Sequence, residues 1–496
     1  MLKFRKFVWP GLLIFLSVMR FCANGLIYYP QLDDYIQYYK YTSLNSPAEA
    51  VIKYGMLAAR PLSNAADVFV WANFWGNLFF AVIILAVLYA FSAILFYKIF
   101  KIIFGIENKA AALIYLLLPL NIEGTYWLSA STRVVCGLFF VSLAALLLIK
   151  WLEKNKILYL ILFAVLQLCA MAAYEQTLML TAALSFIIII KYKQNKKIIF
   201  AGLIIIINLL IYFIFTGYFK QSSALYSGVD IISPFSLNFW TDQLPHVLKQ
   251  IIAAFAGGGF LVLFNGFIRG VKLIFSGEMA VFAILALFCA VLTGFYFYKN
   301  KNLNKKANYN IIFLAGLFLI LAPIAPHVLK SNPWFSLRGT VCSFPGIMLC
   351  LQVIFNKFKL KNFISGFACG LFIFIAFIAT GSELLDYKQT YITDQKVMSA
   401  IADAIDLENF HGRVALVGLE PDYLENQNFY FHEHIHGVTE SDWALSGALY
   451  AYSNGKLDPA ARFVPVNNPE SDYLNFDLIF IYKNGIFIEI NQGDIK

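Results

Sequence analysis

The chain is 496 residues long, 60% apolar and only 14% charged, with a mean hydropathy of +0.69. Soluble domains carry about 25% charged residues, so a water-surrounded globular protein is excluded and a bilayer must absorb the apolar excess. The formal charge of +9 does not point to nucleic acid, because the basic residues sit in short clusters between apolar runs, the pattern that encodes membrane topology.

In chain order, "MLKFRKFVWPGLLIFLSVMRFCANGLI" reads as a first span, since no small-x-small cleavage site closes its apolar region. A span needs about 20 apolar residues. Runs of that size begin near Phe7, Asn77, Ala110, Val134, Ile157, Thr177, Ile198, Met279, Asn310, Gly339 and Phe363. Six lysine-rich segments, "KFRK", "YKIFKIIFGIENK", "KWLEKNK", "KYKQNKK", "YKNKNLNKK" and "NKFKLKN", fall between alternate runs. If each run crosses once, all six share the cytoplasmic face. The segment 251–275 is apolar enough to cross, but crossing breaks that parity. Its triple glycine, Gly257 to Gly259, weakens a straight helix, so an outer-face hairpin or interfacial segment is expected there.

The expected fold is therefore a polytopic α-helical membrane protein of about eleven spans, with a cytoplasmic N-terminus and a small extracytoplasmic C-terminal α/β domain. Residues 1–381 form the membrane domain, with a first outer loop at 28–76, and residues 382–496 form the outer domain. In the latter, "RVALVGL" and "FDLIFIYKNGIFIEI" read as strands, the second a hairpin around Asn484-Gly485. "DQKVMSAIADAIDLEN" reads as an amphipathic helix. All seven cysteines lie in apolar segments without metal-ligand spacing, so no disulfide framework or thiolate site is expected.

This topology collects the unusual polar residues on one face. The first outer loop carries Asp33, Asp34 and Arg60; "NIEGTYWLSASTR" carries Glu123, Tyr126 and Arg133. "AAYEQT" carries Tyr174 and Glu175, and "APIAPHVLKSNPWFSLRGT" carries His327, Lys330 and Arg338. Read singly, paired acids at a loop start are as readily solvated, and a lone arginine at a span end commonly snorkels to headgroups. Trp71, Trp75, Trp127 and Trp334 read as interfacial anchors. Glu175 lies between two short spans, below the headgroup plane, where a carboxylate needs a partner. Together these residues suit a lipid phosphate carrying a transferable group. Arginines offer a fixed fork of donors to phosphate and stabilise its departure. A carboxylate takes the proton of an attacking hydroxyl, and its neighbour orients it, binds an ion or holds a sugar hydroxyl. No Gly-rich phosphate loop occurs.

On "PQLDDYIQY", the loop through "ARPLSN", "EGTYWLSASTR" and the hydropathy of residues 1–380, the chain resembles the GT-C superfamily of polytopic glycosyltransferases. That resemblance implies an inverting transfer from a polyprenyl-phosphate sugar to a cell-envelope glycan, lipid or protein, with membrane lipids and no nucleic acid as further partners. It carries the base onto Asp33 and the second acid onto Asp34. The basic residue that often follows the pair in the family is replaced by Ile36 and Gln37. Arg60, Arg133 and Arg338 are the candidates for donor phosphate, with Tyr126, Tyr174, Glu175, His327 and Lys330 around them. No cofactor beyond the lipid-linked sugar is required, a divalent cation remaining open. The composition, rich in lysine, asparagine and isoleucine, points to a bacterial cytoplasmic membrane.

In "FYFHEHIHG", a strand would project His432, His434 and His436 from one face, a spacing able to hold zinc. A polar strand edge or loop is the commoner fate of such a run. Two other functions compete with transfer: a flippase for lipid-linked saccharides, which wants polar residues in mid-span and internal repeats, and a non-catalytic envelope assembly protein.

Overall fold

A computed structural model describes residues 2–43, 46–53, 55–220, 232–299, 308–331, 333–358, 361–421, 424, 433–466 and 475–490. The chain forms two compact units. The first comprises Met1–Gly25, Val51–Ala65 and Phe80–Glu383; the second comprises Leu26–Ala50, Ala66–Phe79 and Leu384–Lys496.

The first unit is helical. Among the described residues, eight helices are long and apolar enough to cross a membrane. Most coincide with apolar runs expected from the sequence, including Phe79–Phe104, Leu128–Lys154, Ala280–Lys299 and Asn362–Ala404, the last of which contributes to both units. The run expected near Ala110 is not one long helix. Its helix, Lys109–Leu117, ends where Leu118 turns extended with ψ 120° ahead of Pro119, a residue that disfavours helix in its predecessor. The following stretch, expected as an outer loop, is buried from Pro119 to Val135. Arg20 explains part of that burial. Its guanidinium donates to Asn121 Oδ1 at 2.9 Å, to Thr125 Oγ1 at 3.0 Å and to the Leu116 carbonyl.

Of the two forms expected for 251–275, a hairpin or an interfacial segment, the hairpin is corrected. The segment lies in one continuous apolar helix, Phe239–Phe275, which passes through the glycines as a π-helical stretch, Ala253–Gly258. Glycine costs about 1 kcal/mol in a helix interior. Breaking the helix in an apolar medium would leave backbone groups unpaired at several kcal/mol each, so the helix persists. Further along, a Cβ on Gly270 would stand 2.7 Å from the Ile378 carbonyl oxygen, so glycine there is what allows the backbones to approach.

The second unit is an α/β fold. Its sheet has the order β2-β1-β3-β4, with β1 Arg413–Val417, β2 Arg462–Val466, β3 Leu478–Lys483 and β4 Ile486–Glu489. β1 pairs in parallel with both β2 and β3, aligning Leu416 with Pro465 and Phe480, whereas β3 and β4 are antiparallel. Asn484 and Gly485 join β3 to β4 at φ 54° and 83°, the paired positive φ of the tight hairpin expected from the sequence. The expected amphipathic helix over 394–409 is the last part of Asn362–Ala404; its Val397, Met398 and Ile401 enter a core with Leu416, Leu445, Phe463 and Phe480.

Residues 26–50 belong to this unit by packing. Tyr35 is part of the same core. Ile36 sits on the helix Asp442–Tyr452 at Gly447, where a Cβ would stand 2.4 Å from Ile36 Cγ1. The Tyr39 ring lies 5.1 Å from Trp75 and 6.0 Å from Tyr450, and the Ser43 hydroxyl meets that of Tyr450 at 3.1 Å.

Candidate functional site

The two adjacent acids of the second unit occupy different environments. Asp34 is fully buried, and its Oδ2 accepts from the Tyr28 hydroxyl at 2.6 Å and the Gln31 amide at 3.0 Å. The Asp34 amide in turn donates to the Gln31 carbonyl at 2.8 Å, closing a turn around Leu32, which is held at φ 41°. A non-glycine residue in that region is strained and persists only where neighbours fix it. The Gln31 side chain supplies one such anchor by donating to the Tyr387 carbonyl at 3.0 Å. Asp33 is only partly buried, and its carbonyl accepts from the Ile36 and Gln37 amides at 3.1 and 2.9 Å. The pair therefore divides into a fully buried acid whose carboxylate shapes the turn and a partly buried one whose carbonyl starts the following helical turn.

Around the turn stand groups that the sequence alone does not single out. Asp67 is buried and accepts from the Tyr38 hydroxyl at 3.2 Å. Asp394, also buried, accepts from the Val438 amide at 2.9 Å. Burial, then the charges of Asp394 and Asp34, push the Tyr35 hydroxyl well above its ordinary range, so it stays neutral. Lys40 lies 5.8 Å from the Tyr450 ring centre. Burial, followed by the nearby Arg462 charge, lowers the Lys40 ammonium to about 8, with Asp458 opposing. Lys40 follows the acids by one and a half helical turns, and only its packing reveals it.

Of the readings open for the histidine run, the one-faced strand is not adopted: Glu433–Ile435 is a short 3-10 turn, in keeping with the loop named as the commoner fate. His434 is buried and stacks on Tyr387 with ring centres 4.0 Å apart, whereas His436 Nδ1 lies 3.5 Å from Glu440 Oε2. His432 lies outside the described residues.

In the first unit, six of the expected residues come together: Arg60, Tyr174, Glu175, His327, Lys330 and Arg338. Arg60 Nε donates to Glu175 Oε2 at 2.8 Å, and its guanidinium lies 4.8 Å from the Tyr174 ring centre. Arg60 itself stands at φ 54° immediately before Pro61, the first residue of the helix Pro61–Phe69. Its strained position is held by Asn64, whose side-chain amide donates to the Met56 and Ala59 carbonyls at 2.8 and 2.7 Å. Lys330 also lies within electrostatic reach of Glu175, and His327 feels Lys330, Glu175, Arg60 and Arg338. The Arg338 guanidinium lies 5.1 Å from the Trp127 ring centre, a cation–π distance. The Arg338 amide donates to Glu123 Oε2 at 3.3 Å. Gln176, the last residue of "YEQ", donates to the Gly339 carbonyl at 2.9 Å, tying the two segments of the cluster together.

Arg133 and Tyr126 are placed differently. Arg133 is buried, donating to Asn64 Oδ1 at 2.9 Å and to the Ser129 carbonyl, and so braces the Asn64 that holds Arg60. Tyr126 is buried with its ring 5.3 Å from Phe21.

The charges in the cluster do not balance: Arg60, Lys330 and Arg338 face Glu175 and Glu123. Two buried nitrogens there, His327 Nδ1 and Trp127 Nε1, have no hydrogen-bond partner among the described residues. Buried polar atoms are rarely left so. Excess positive charge beside unpaired buried nitrogens describes surroundings suited to an anionic, oxygen-rich group.

No protein-family model matches the chain, and no curated protein matches it.

Proposed function

We propose that this chain is a glycosyltransferase of a bacterial cytoplasmic membrane, with about eleven spans, the helix through 251–275 lying along the outer interface instead of crossing, a cytoplasmic N-terminus and an extracytoplasmic C-terminal domain. It would move a sugar from a polyprenyl-phosphate donor to a cell-envelope acceptor. The observation that carries the reading is the cationic, aromatic cluster of Arg60, Lys330 and Arg338 with His327 and Trp127. The resemblance of the acid-pair loop to the GT-C superfamily adds to it. A bound donor phosphate would take bidentate donors from arginine, and their charge would stabilise the lipid phosphate as it leaves.

The reading assigns the proton to Asp33. As the acceptor oxygen bonds to the anomeric carbon, the bond from that carbon to the phosphate oxygen breaks. The electron pair leaves with the lipid phosphate, and the hydroxyl proton passes to the Asp33 carboxylate. Asp34 holds the turn and takes no part in the proton transfer.

Reconstitution in proteoliposomes with a radiolabelled polyprenyl-phosphate sugar and an envelope acceptor extract tests this directly. Label should appear in the acceptor with the native chain and not with Asp33→Asn. Label that crosses the bilayer without transfer would establish a transporter instead, and neither outcome would leave an assembly protein.

A further inference from the structure

Away from the polar cluster, the first unit carries an apolar groove of about 640 Å³ between the helices Ala280–Lys299 and Asn362–Ala404. Its floor is backbone. A Cβ on Gly366 would stand 2.7 Å from the Gly294 carbonyl oxygen, and one on Gly370 would stand 3.0 Å from that of Ala290, so the helices cross in backbone contact. Its walls include Leu287, Val291, Phe295, Phe367 and Leu371, every one an exposed apolar side chain. The same end of the groove that holds Tyr298 and Phe363 carries two exposed lysines, Lys299 and Lys361. Lys299 Nζ folds back to 4.2 Å from the Phe295 ring centre.

We propose that this groove holds an acyl chain of an anionic phospholipid, with its phosphate between Lys299 and Lys361. The shape suits a chain: the groove runs along about 17 Å of helix from Leu287 to Tyr298, a continuous apolar track with a charged end. Charge selects the headgroup, because among the described residues the charged side chains next to this end, Lys299 and Lys361, are cationic and no acid lines the groove. The floor is close-packed, since a Cβ on Gly294 or Gly370 would meet only backbone and one on Gly366 would meet backbone and Tyr298 Cβ. This inference is independent of the proposed transfer and of the cluster around Arg60.

The test uses the full chain in nanodiscs of phosphatidylglycerol mixed equally with phosphatidylcholine, extracted gently and weighed intact by native mass spectrometry. Phosphatidylglycerol should be retained in preference, by about fivefold for each lysine, the strength of attraction of one basic residue to an anionic surface. Lys299→Gln with Lys361→Gln should remove the preference but keep a bound lipid. Leu371→Trp, a change on an exposed wall that leaves the crossing glycines intact, should lose the bound lipid of either kind. Equal retention of both lipids by the native chain, or unchanged retention in Leu371→Trp, would overturn the proposal. So would efficient cross-linking of two copies through Val291→Cys, because a second chain would then occupy the slot.

Discussion

The acid turn of the second unit and the cationic cluster of the first solve opposite problems. At the turn, hydrogen bonds from Tyr28 and Gln31 saturate one carboxylate, Asp34, and thereby fix the backbone that carries its neighbour. In the cluster, two carboxylates only partly offset three cations, and the surplus is left beside unpaired nitrogens. The first region closes its polar contacts into a turn, whereas the second gathers more cationic than anionic groups. Charged residues of the same types can therefore fix a backbone in one place and concentrate one sign of charge in another, and what separates them is which partners the fold brings to them.

The sharpest way to break this comparison is at the acids. Asp33→Asn should lower transfer by about 10²–10⁴-fold, the contribution of a positioned base, with an unchanged melting temperature. Asp34→Asn should instead lower the melting temperature of the second unit, since a buried group left unsatisfied costs about 1–3 kcal/mol. Equal loss of activity without destabilisation in both variants would show that the two acids are not divided as described.

A smaller effect is expected where the acid loop meets the C-terminal helix. Gly447→Ala drives a methyl into Ile36 and should cost about 1–3 kcal/mol by overpacking. Pairing it with Ile36→Ala should recover much of that loss in chemical denaturation, whereas additive losses would mean that the two residues do not share a contact.

In the cluster, Arg60→Gln should weaken binding of a lipid phosphate by about tenfold, in keeping with a charge-assisted hydrogen bond. Glu175→Gln should tighten it a few-fold, because it removes a negative charge from a site for an anion. Microscale binding of a short-chain polyprenyl phosphate reads both, and tighter binding by Arg60→Gln would reverse the assigned charge.

The smallest effect concerns Lys40, whose ammonium is lowered from 10.5 to about 8. Between those values the unfolded chain holds more protons than the folded one, so stability rises with pH across that window. Below about 8, folding carries the full cost of the buried charge. Lys40→Met should flatten that part of the profile of melting temperature against pH.

The membrane class, most of the long apolar helices among the described residues, the Asn484-Gly485 hairpin and the strand at 413–417 were legible in the sequence, because apolar periodicity and turn chemistry are local. Tyr174, Glu175, His327, Lys330 and Arg338 were legible as candidates by their position between apolar runs. The supports were less so. Asn64 is an ordinary polar residue until it is seen bonding the Met56 and Ala59 carbonyls, and the partner of Gln176, the Gly339 carbonyl, lies far along the chain. The histidine run shows the limit of alternation, because three alternating residues fit a strand pattern that the backbone at Glu433–Ile435 does not adopt. The glycines at 257–259 misled because propensity measured in water understates how strongly an apolar medium holds a helix together.

Composition by itself determined that the chain must live in a bilayer, since no water-facing surface could carry so much apolar area. Which of two adjacent aspartates is clamped, which arginine braces and which faces a carboxylate, and that residues 26–50 pack with the C-terminal helix at Gly447 were decided by tertiary structure alone. The reason is physical: burial and hydrogen-bond supply depend on partners tens to hundreds of residues away, and no local pattern encodes them.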